Sequence, residues 1–249
     1  MTQILIVGYG AMGGAIGDQL KKFYKVTAIS PNGNADFKSV QDLPHDYMPD
    51  MVIFAVKPQI AETVIKDYVH FESAIIVSVM AGIVYEKLRH IFLKNPLVRS
   101  MPNTPSRIGK GITSLFGTGL NPAQTTMITD VFKHLGSVVW LDQENDFHIT
   151  TALAGCGPAY VFNILENWIA TGQEHGLDFD TSKKLVVETI TGALALYQES
   201  RSDLSTLRQN VTSPNGITHA ALQIMMPITN TLFCDTVNAA IARSKELEA

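Results

Sequence analysis

Cysteine is scarce in this sequence. Cys156 and Cys234 are the only two in 249 residues, and their separation matches no metal-ligand spacing. A disulfide scaffold and a thiolate metal site are therefore excluded as organising devices, and two such thiols are expected to be reduced, buried and cytoplasmic. Basic charge is not in excess: 19 Lys and Arg stand against 23 Asp and Glu, a formal net charge of −4, so a nucleic-acid partner is disfavoured. Met1-Thr2-Gln3 leads straight into the apolar residues 4–7 with no basic stretch before them, and no secretory signal is expected. No apolar run reaches the roughly 18 residues that cross a bilayer, so no membrane partner is expected. His134, His148, His175 and His219 are scattered without helical ligand spacing, and no metal is expected.

What is present is a chain 46% hydrophobic, long enough for one large domain or two modest ones. Its first half alternates strand and helix signals. Strands are predicted at residues 3–7, 25–29, 51–56, 74–79, 97–100, 111–116 and 137–141, with helices at about 11–22, 61–68 and 122–135. Such alternation implies a parallel, doubly wound α/β sheet of Rossmann type with helices on both faces. From about Glu144 the strand signals vanish. Helices are expected from Tyr160 through Trp168, over 180–199 with Asp180 as N-cap, from Asp203 to about Val211, and from Thr218 to near the end, broken or kinked at Pro227. The boundary falls near residue 146, giving a dinucleotide-binding domain over 1–146 and an all-α domain over 147–249. Stretches 193–196 and 220–226 are apolar on most sides, which suits a subunit interface, although a compact monomeric bundle would hide them too. Glu144, Asp146, Glu166 and Glu174 read as solvated faces, Trp140 and Trp168 as core or interface.

Gly8-Tyr9-Gly10-Ala11-Met12-Gly13 follows the first strand and opens the first helix. Gly8 allows the tight turn, Gly10 lets backbone approach a pyrophosphate, and Gly13 lets helix pack on strand. Ala11 and Met12 supply helix N-terminal N–H groups to the phosphates, and Met12 covers the pyrophosphate or simply packs. A dinucleotide cofactor is expected. The second strand ends in Ser30-Pro31-Asn32-Gly33-Asn34, without the Asp or Glu that holds a free ribose 2′-hydroxyl and repels a 2′-phosphate. Ser30, Asn32 and Asn34 are candidate phosphate donors, so NADPH is expected to be preferred and NADH possible, although no Arg or Lys lies in the turn. Lys57 ends the third strand where doubly wound sheets bind ligands, and the backbone of Ala55-Val56-Lys57-Pro58 is a cofactor-contact candidate.

In the helical half, Ser213-Pro214-Asn215-Gly216 must be a turn. Asn215 and Gly216 tolerate left-handed angles that aim successive N–H groups inward, and a helix starting near Ile217 and Thr218 adds its positive end. The residues fit a carboxylate nest and an interhelical turn with an N-cap threonine equally well.

Taken in order, several segments resemble the pyrroline-5-carboxylate reductase family over nearly the whole chain: the glycine turn with Met12, Ala55-Val56-Lys57-Pro58, Met101-Pro102-Asn103-Thr104-Pro105, Gly157-Pro158-Ala159-Tyr160, Val211-Thr212-Ser213-Pro214-Asn215-Gly216-Ile217-Thr218, and Arg243-Ser244-Lys245-Glu246-Leu247. The resemblance implies a Rossmann domain followed by a helical dimerisation domain, in a homodimer or a higher oligomer of dimers. It implies a cytoplasmic oxidoreductase of amino-acid biosynthesis that reduces 1-pyrroline-5-carboxylate to L-proline with NAD(P)H. It places Ser213, Asn215, Gly216, Ile217 and Thr218 on the substrate carboxylate, Thr218 against the imine nitrogen as catalytic residue, and Asn103 beside the nicotinamide or its ribose. The chain departs from the family at Ala154 and Cys156, where serines are usual, and at Asn215, where glycine is usual. These departures leave open a related imine or keto/hydroxy-acid reductase, or a catalytically weak dinucleotide-binding dimer.

Overall fold

A computed structural model describes residues 1–248. Seven strands form one sheet: β1 Gln3–Val7, β2 Lys25–Ile29, β3 Met51–Phe54, β4 Ile75–Ser78, β5 Leu97–Pro102, β6 Gly111–Phe116 and β7 Gly136–Trp140, in the order β2-β1-β3-β4-β5-β6-β7. β1, β3 and β4 read as almost unbroken Ile, Val, Leu, Met and Phe because both of their faces are covered. Alternate side chains sort cleanly. Ile4, Ile6, Met51, Ile53 and Val77 share one cluster with Ile16 and Leu20 of α1 (Ala11–Leu20) and with Ile128, Val131 and Phe132 of α4 (Pro122–Lys133). Leu5, Val7, Val52, Phe54 and Ile76 share the other with Ala61 and Ile65 of α2 (Pro58–Ile65) and Leu88 of α3 (Tyr85–Ile91).

The sheet is parallel as expected except at one junction, where β5 and β6 are antiparallel. Between Pro102 and Gly111 lies only the turn Thr104–Ile108, and a parallel crossover needs about a dozen residues or more. The second helix starts at Pro58 rather than at 61, because a proline at the first helical position costs no backbone hydrogen bond.

The chain divides into two compact units. One is Met1–Pro158 with the C-terminal stretch from Ala240; the other is Ala159–Ala239. The helices of the second half are α5 Phe147–Thr150, α6 Gly157–Glu174, α7 Phe179–Glu199, α8 Leu204–Asn210 and α9 Ile217–Glu248. A π-helical turn, Thr151–Gly155, separates α5 from α6. The N-cap of α7 is Asp178, not Asp180: its Oδ1 accepts from the Thr181 amide at 2.9 Å. Pro227 does not break α9; the ring costs one backbone hydrogen bond inside a helix that continues on both sides.

In the second unit Val186 is the sole buried apolar side chain, while Phe162, Trp168, Leu194, Ile224 and Leu232 lie open. Helices with so little buried surface cannot offset their chain entropy alone, so this face requires a partner surface. Neither cysteine is buried as expected: Cys156 is half-buried and Cys234 exposed, and both are free thiols. Among the described residues no helix is long and apolar enough to cross a membrane.

Candidate functional site

The chain leaves β1 through α1 on one face and pairs β2 on one side, then returns to pair β3 on the other and leaves through α2 on the opposite face. That switch opens a crevice at the carboxyl ends of β1 and β3, where doubly wound sheets hold ligands. Gly8 caps β1 at φ 95°, its amide donating to the Ile29 carbonyl at 2.8 Å; a Cβ there would lie 2.7 Å from the Ala55 carbonyl oxygen. Gly13 is bound as tightly, since a Cβ would sit 2.0 Å from the Gly8 carbonyl oxygen. Gly10 is the opposite case: nothing lies within 4 Å of where its Cβ would be. Two glycines make the turn, and the third faces a void. Gly10 is also the N-cap of α1 and offers no side chain, so the first N–H groups of the helix, from Ala11 and Met12, have no capping partner. A void beside uncapped amides suits a pyrophosphate.

Tyr9 arches back over α1. Its hydroxyl donates to Asp18 Oδ1 at 2.6 Å, and its ring lies where a Cβ on Gly17 would come within 2.4 Å. Burial, then Asp18 and Asp36, push the Tyr9 hydroxyl above its ordinary range, so it stays a proton donor to Asp18. At the end of β2, Ser30 donates its amide to the Phe37 carbonyl at 3.0 Å, and Asn32 and Asn34 are exposed. The nearby carboxylate of Asp36 is turned to other work: it accepts from the Ala28 amide at 2.8 Å and lies 3.7 Å from Lys21 Nζ. Ser30, Asn32 and Asn34 therefore form a turn free of acid side chains.

Ala55 and Val56 line the Gly8 side of the crevice, and Ala55 donates its amide to the Val7 carbonyl at 2.8 Å. Lys57 is the exposed N-cap of α2, with Pro58 behind it. Asn103, buried just beyond β5, accepts from the Ile112 amide at 2.9 Å and donates from Nδ2 to the Ala154 carbonyl at 3.1 Å. It pins β5 to β6 and to the π-helical turn. Thr104 and Arg107 border the first turn of α1 across a cavity of about 230 Å³, with Ala11, Met12 and Ala15. Arg107 escaped the sequence reading, since a lone arginine in a turn carries no spacing signal.

The loop at residues 213–218 lies in the second unit. Asn215 has φ 58°, the one positive φ outside glycine among the described residues, as the left-handed turn requires. Gly216 closes the turn, its amide donating to the Ser213 carbonyl at 3.0 Å, and a Cβ there would strike Ser213 Oγ at 2.3 Å. Ser213 and Asn215 are exposed, and Ile217 and Thr218 follow, also exposed, in the first turn of α9, a helix whose opening N–H groups have no helical partners. His219, next to the loop, pairs with Gln223 at 3.2 Å. The dinucleotide candidates thus gather in the first unit and the acid-binding candidates in the second. Among the described residues no group of three His, Cys, Asp or Glu side chains could hold a metal.

Comparisons with known proteins agree with one another. Residues 144–247 match the family model described as pyrroline-5-carboxylate reductase dimerisation. The chain is 34% identical over 205 residues to a pyrroline-5-carboxylate reductase of Haemophilus influenzae, covering 80% of this chain and 76% of that one. The structure resembles that of the Plasmodium falciparum pyrroline carboxylate reductase with NADP bound, with a TM-score of 0.90 and 28% identity over 100% of this chain and 98% of that one. It also resembles a pyrroline-5-carboxylate reductase from Coxiella burnetii, with a TM-score of 0.88 and 26% identity over 100% and 99% of the two chains.

Proposed function

The chain belongs to the pyrroline-5-carboxylate reductase family, a family of dinucleotide-dependent oxidoreductases, and from that footing we propose that it reduces 1-pyrroline-5-carboxylate to L-proline, the last step of proline biosynthesis, using NADPH in preference to NADH. The observation that carries this reading is the void at Gly10 beside the uncapped start of α1, at the switch point of the sheet. Bound there, the dinucleotide would supply the hydride.

The protein's part is binding, orientation and exclusion of water. Gly10, Ala11 and Met12 hold the pyrophosphate; Ser30 and Asn32 take the adenosine end, where the acid-free turn does not repel a 2′-phosphate; Ala55, Val56 and the Lys57-Pro58 backbone line the crevice. Asn103 holds the nicotinamide side. The loop of Ser213, Asn215, Gly216 and Ile217 binds the substrate carboxylate through backbone N–H groups, and Thr218 meets the imine nitrogen. A protonated imine carbon is electrophilic already, so no His–Asp pair is needed. We divide the roles at residue 146, with dinucleotide binding over 1–146 and dimerisation with substrate binding over 147–249. The open face of Phe162, Trp168 and Ile224 supports assembly into a homodimer, the base unit of any larger oligomer. Two free thiols fit a reducing compartment such as the cytoplasm.

The departures leave this geometry in place: Asn215 adopts the left-handed angle, and the Ala154 carbonyl still anchors Asn103. The test is oxidation of NADPH and NADH with the cyclic imine acid and with a panel of keto acids. Turnover with the imine and a lower KM for NADPH are expected. Turnover only with keto acids, or dinucleotide binding with no turnover, would overturn the assignment. Thr218→Ala is expected to lower imine turnover by about a hundredfold, the low end for a group positioned on a transferred proton, while NADPH affinity stays unchanged. Equal losses in turnover and dinucleotide binding would remove Thr218 from the substrate side.

A further inference from the structure

The turn after β5 brings a cation to the cofactor crevice. Arg107 is exposed, and it makes no hydrogen bond or ion pair with any described residue. It lines the cavity of about 230 Å³ beside Ala11, Met12 and Ala15, whose lining includes no carboxylate, and α1 has no acidic residue in its first turn. The turn that carries it is firmly set. Thr104–Ile108 packs along α1, Gly109 closes it at φ 69°, and the buried Ser106 fills the space in which a Cβ on Gly111 would fall. An unpaired guanidinium on a fixed turn, next to uncapped helix amides, lacks only an anion.

We infer that Arg107 is a further cofactor-binding residue, clamping the pyrophosphate of the dinucleotide against the first turn of α1, an assignment that rests on the reading of this crevice as the dinucleotide site. Arginine suits the task, since its fork of donors matches phosphate oxygens in pairs. The pyrophosphate is common to NADH and NADPH, so Arg107 strengthens both alike and leaves the choice between them to Ser30 and Asn32.

Titrating wild type, Arg107→Leu and Arg107→Lys with NADPH and with NADH, at low and high salt, tests this. Arg107→Leu is expected to weaken both dinucleotides by the same factor, about tenfold for a lost charge-assisted contact, and to flatten the salt dependence of binding. Arg107→Lys is expected to keep most of the affinity, and the melting temperature without ligand stays that of the wild type. Affinity within about twofold of wild type in Arg107→Leu would overturn the assignment. So would a loss confined to NADPH, which would put the arginine at the 2′-phosphate, or one confined to the KM of the imine acid. A wild-type protein that binds neither dinucleotide would instead sink the reading of the crevice itself.

Discussion

Gly10→Val is expected to abolish dinucleotide binding while leaving the fold intact. The void at this position is what separates Gly10 from its neighbours: a Cβ meets nothing within 4 Å, whereas one at Gly13 would come 2.0 Å from the Gly8 carbonyl oxygen. In the free protein the valine methyls point into open space, and the stability change should be that of a surface substitution, about 0.5 kcal/mol. In the complex those methyls occupy the path of the pyrophosphate. An increase in Kd of at least about a hundredfold is expected, equivalent to about 2.7 kcal/mol. Two measurements check it. Fluorescence titration reads the affinity. Thermal unfolding with NADPH reads the linkage: at about 100 times the wild-type Kd the wild type gains about 2.7 kcal/mol, and the variant about 0.4 kcal/mol or less. Gly13→Ala is the contrasting case, expected to lose binding together with the fold, because it forces α1 off β1. Wild-type affinity in Gly10→Val would show that the crevice is not where the phosphates lie.

The reasons that make Gly10 predictable also mark the limits of reading the chain as sequence. The spacing of Gly8, Gly10 and Gly13 assigns each a separate task, and the structure separates them as two close contacts and one void. Apolar runs such as Met51–Phe54 announce strands covered on both faces, and the helical half, apolar on too many sides, announces a missing partner surface. Strand direction is different. The pattern of β6 carries no sign of its polarity, and only the short link from Pro102 to Gly111 decides it. The start of α7 is similarly undetermined, because Asp178 and Asp180 are both acceptable caps and a single hydrogen bond to Thr181 selects the first. The helix Tyr85–Ile91 is too short to show a period. Long-range charge pairing is the least visible. Glu144 reads as a solvated acid and His148 as one of several scattered histidines until the fold brings Glu144 to Arg99 and His148 to Glu248.

Arg99→Ala is expected to be the most destabilising truncation of a side chain outside the apolar core. The Arg99 side chain, on β5, is 2% exposed, with Nη1 donating to Glu144 Oε1 at 2.6 Å and Nη2 to Glu248. Its guanidinium lies 4.7 Å from the Phe147 ring centroid. Glu144 also accepts the Tyr85 amide at 2.6 Å. His148, placed by Ser244 Oγ at 2.9 Å from Nδ1, sets its Nε2 3.4 Å from the other oxygen of Glu248. One buried cation therefore ties β5 to the segment before α5 and to the last turn of α9, the helix whose first turn carries the Thr218 loop. Removing it deprives Glu144 and Glu248 of the guanidinium they share, and breaking a buried pair in this way typically costs about 3–5 kcal/mol. In a chain of this length that lowers the melting temperature by about 10 °C. The triple substitution Arg99→Met, Glu144→Gln, Glu248→Gln separates charge from packing: with no ion left to strand, it should recover most of the loss. Denaturant unfolding of the two variants beside wild type decides the matter. A cost below about 1 kcal/mol for Arg99→Ala is what a solvent-screened surface pair would give, and it would mean that the end of α9 is held by packing alone.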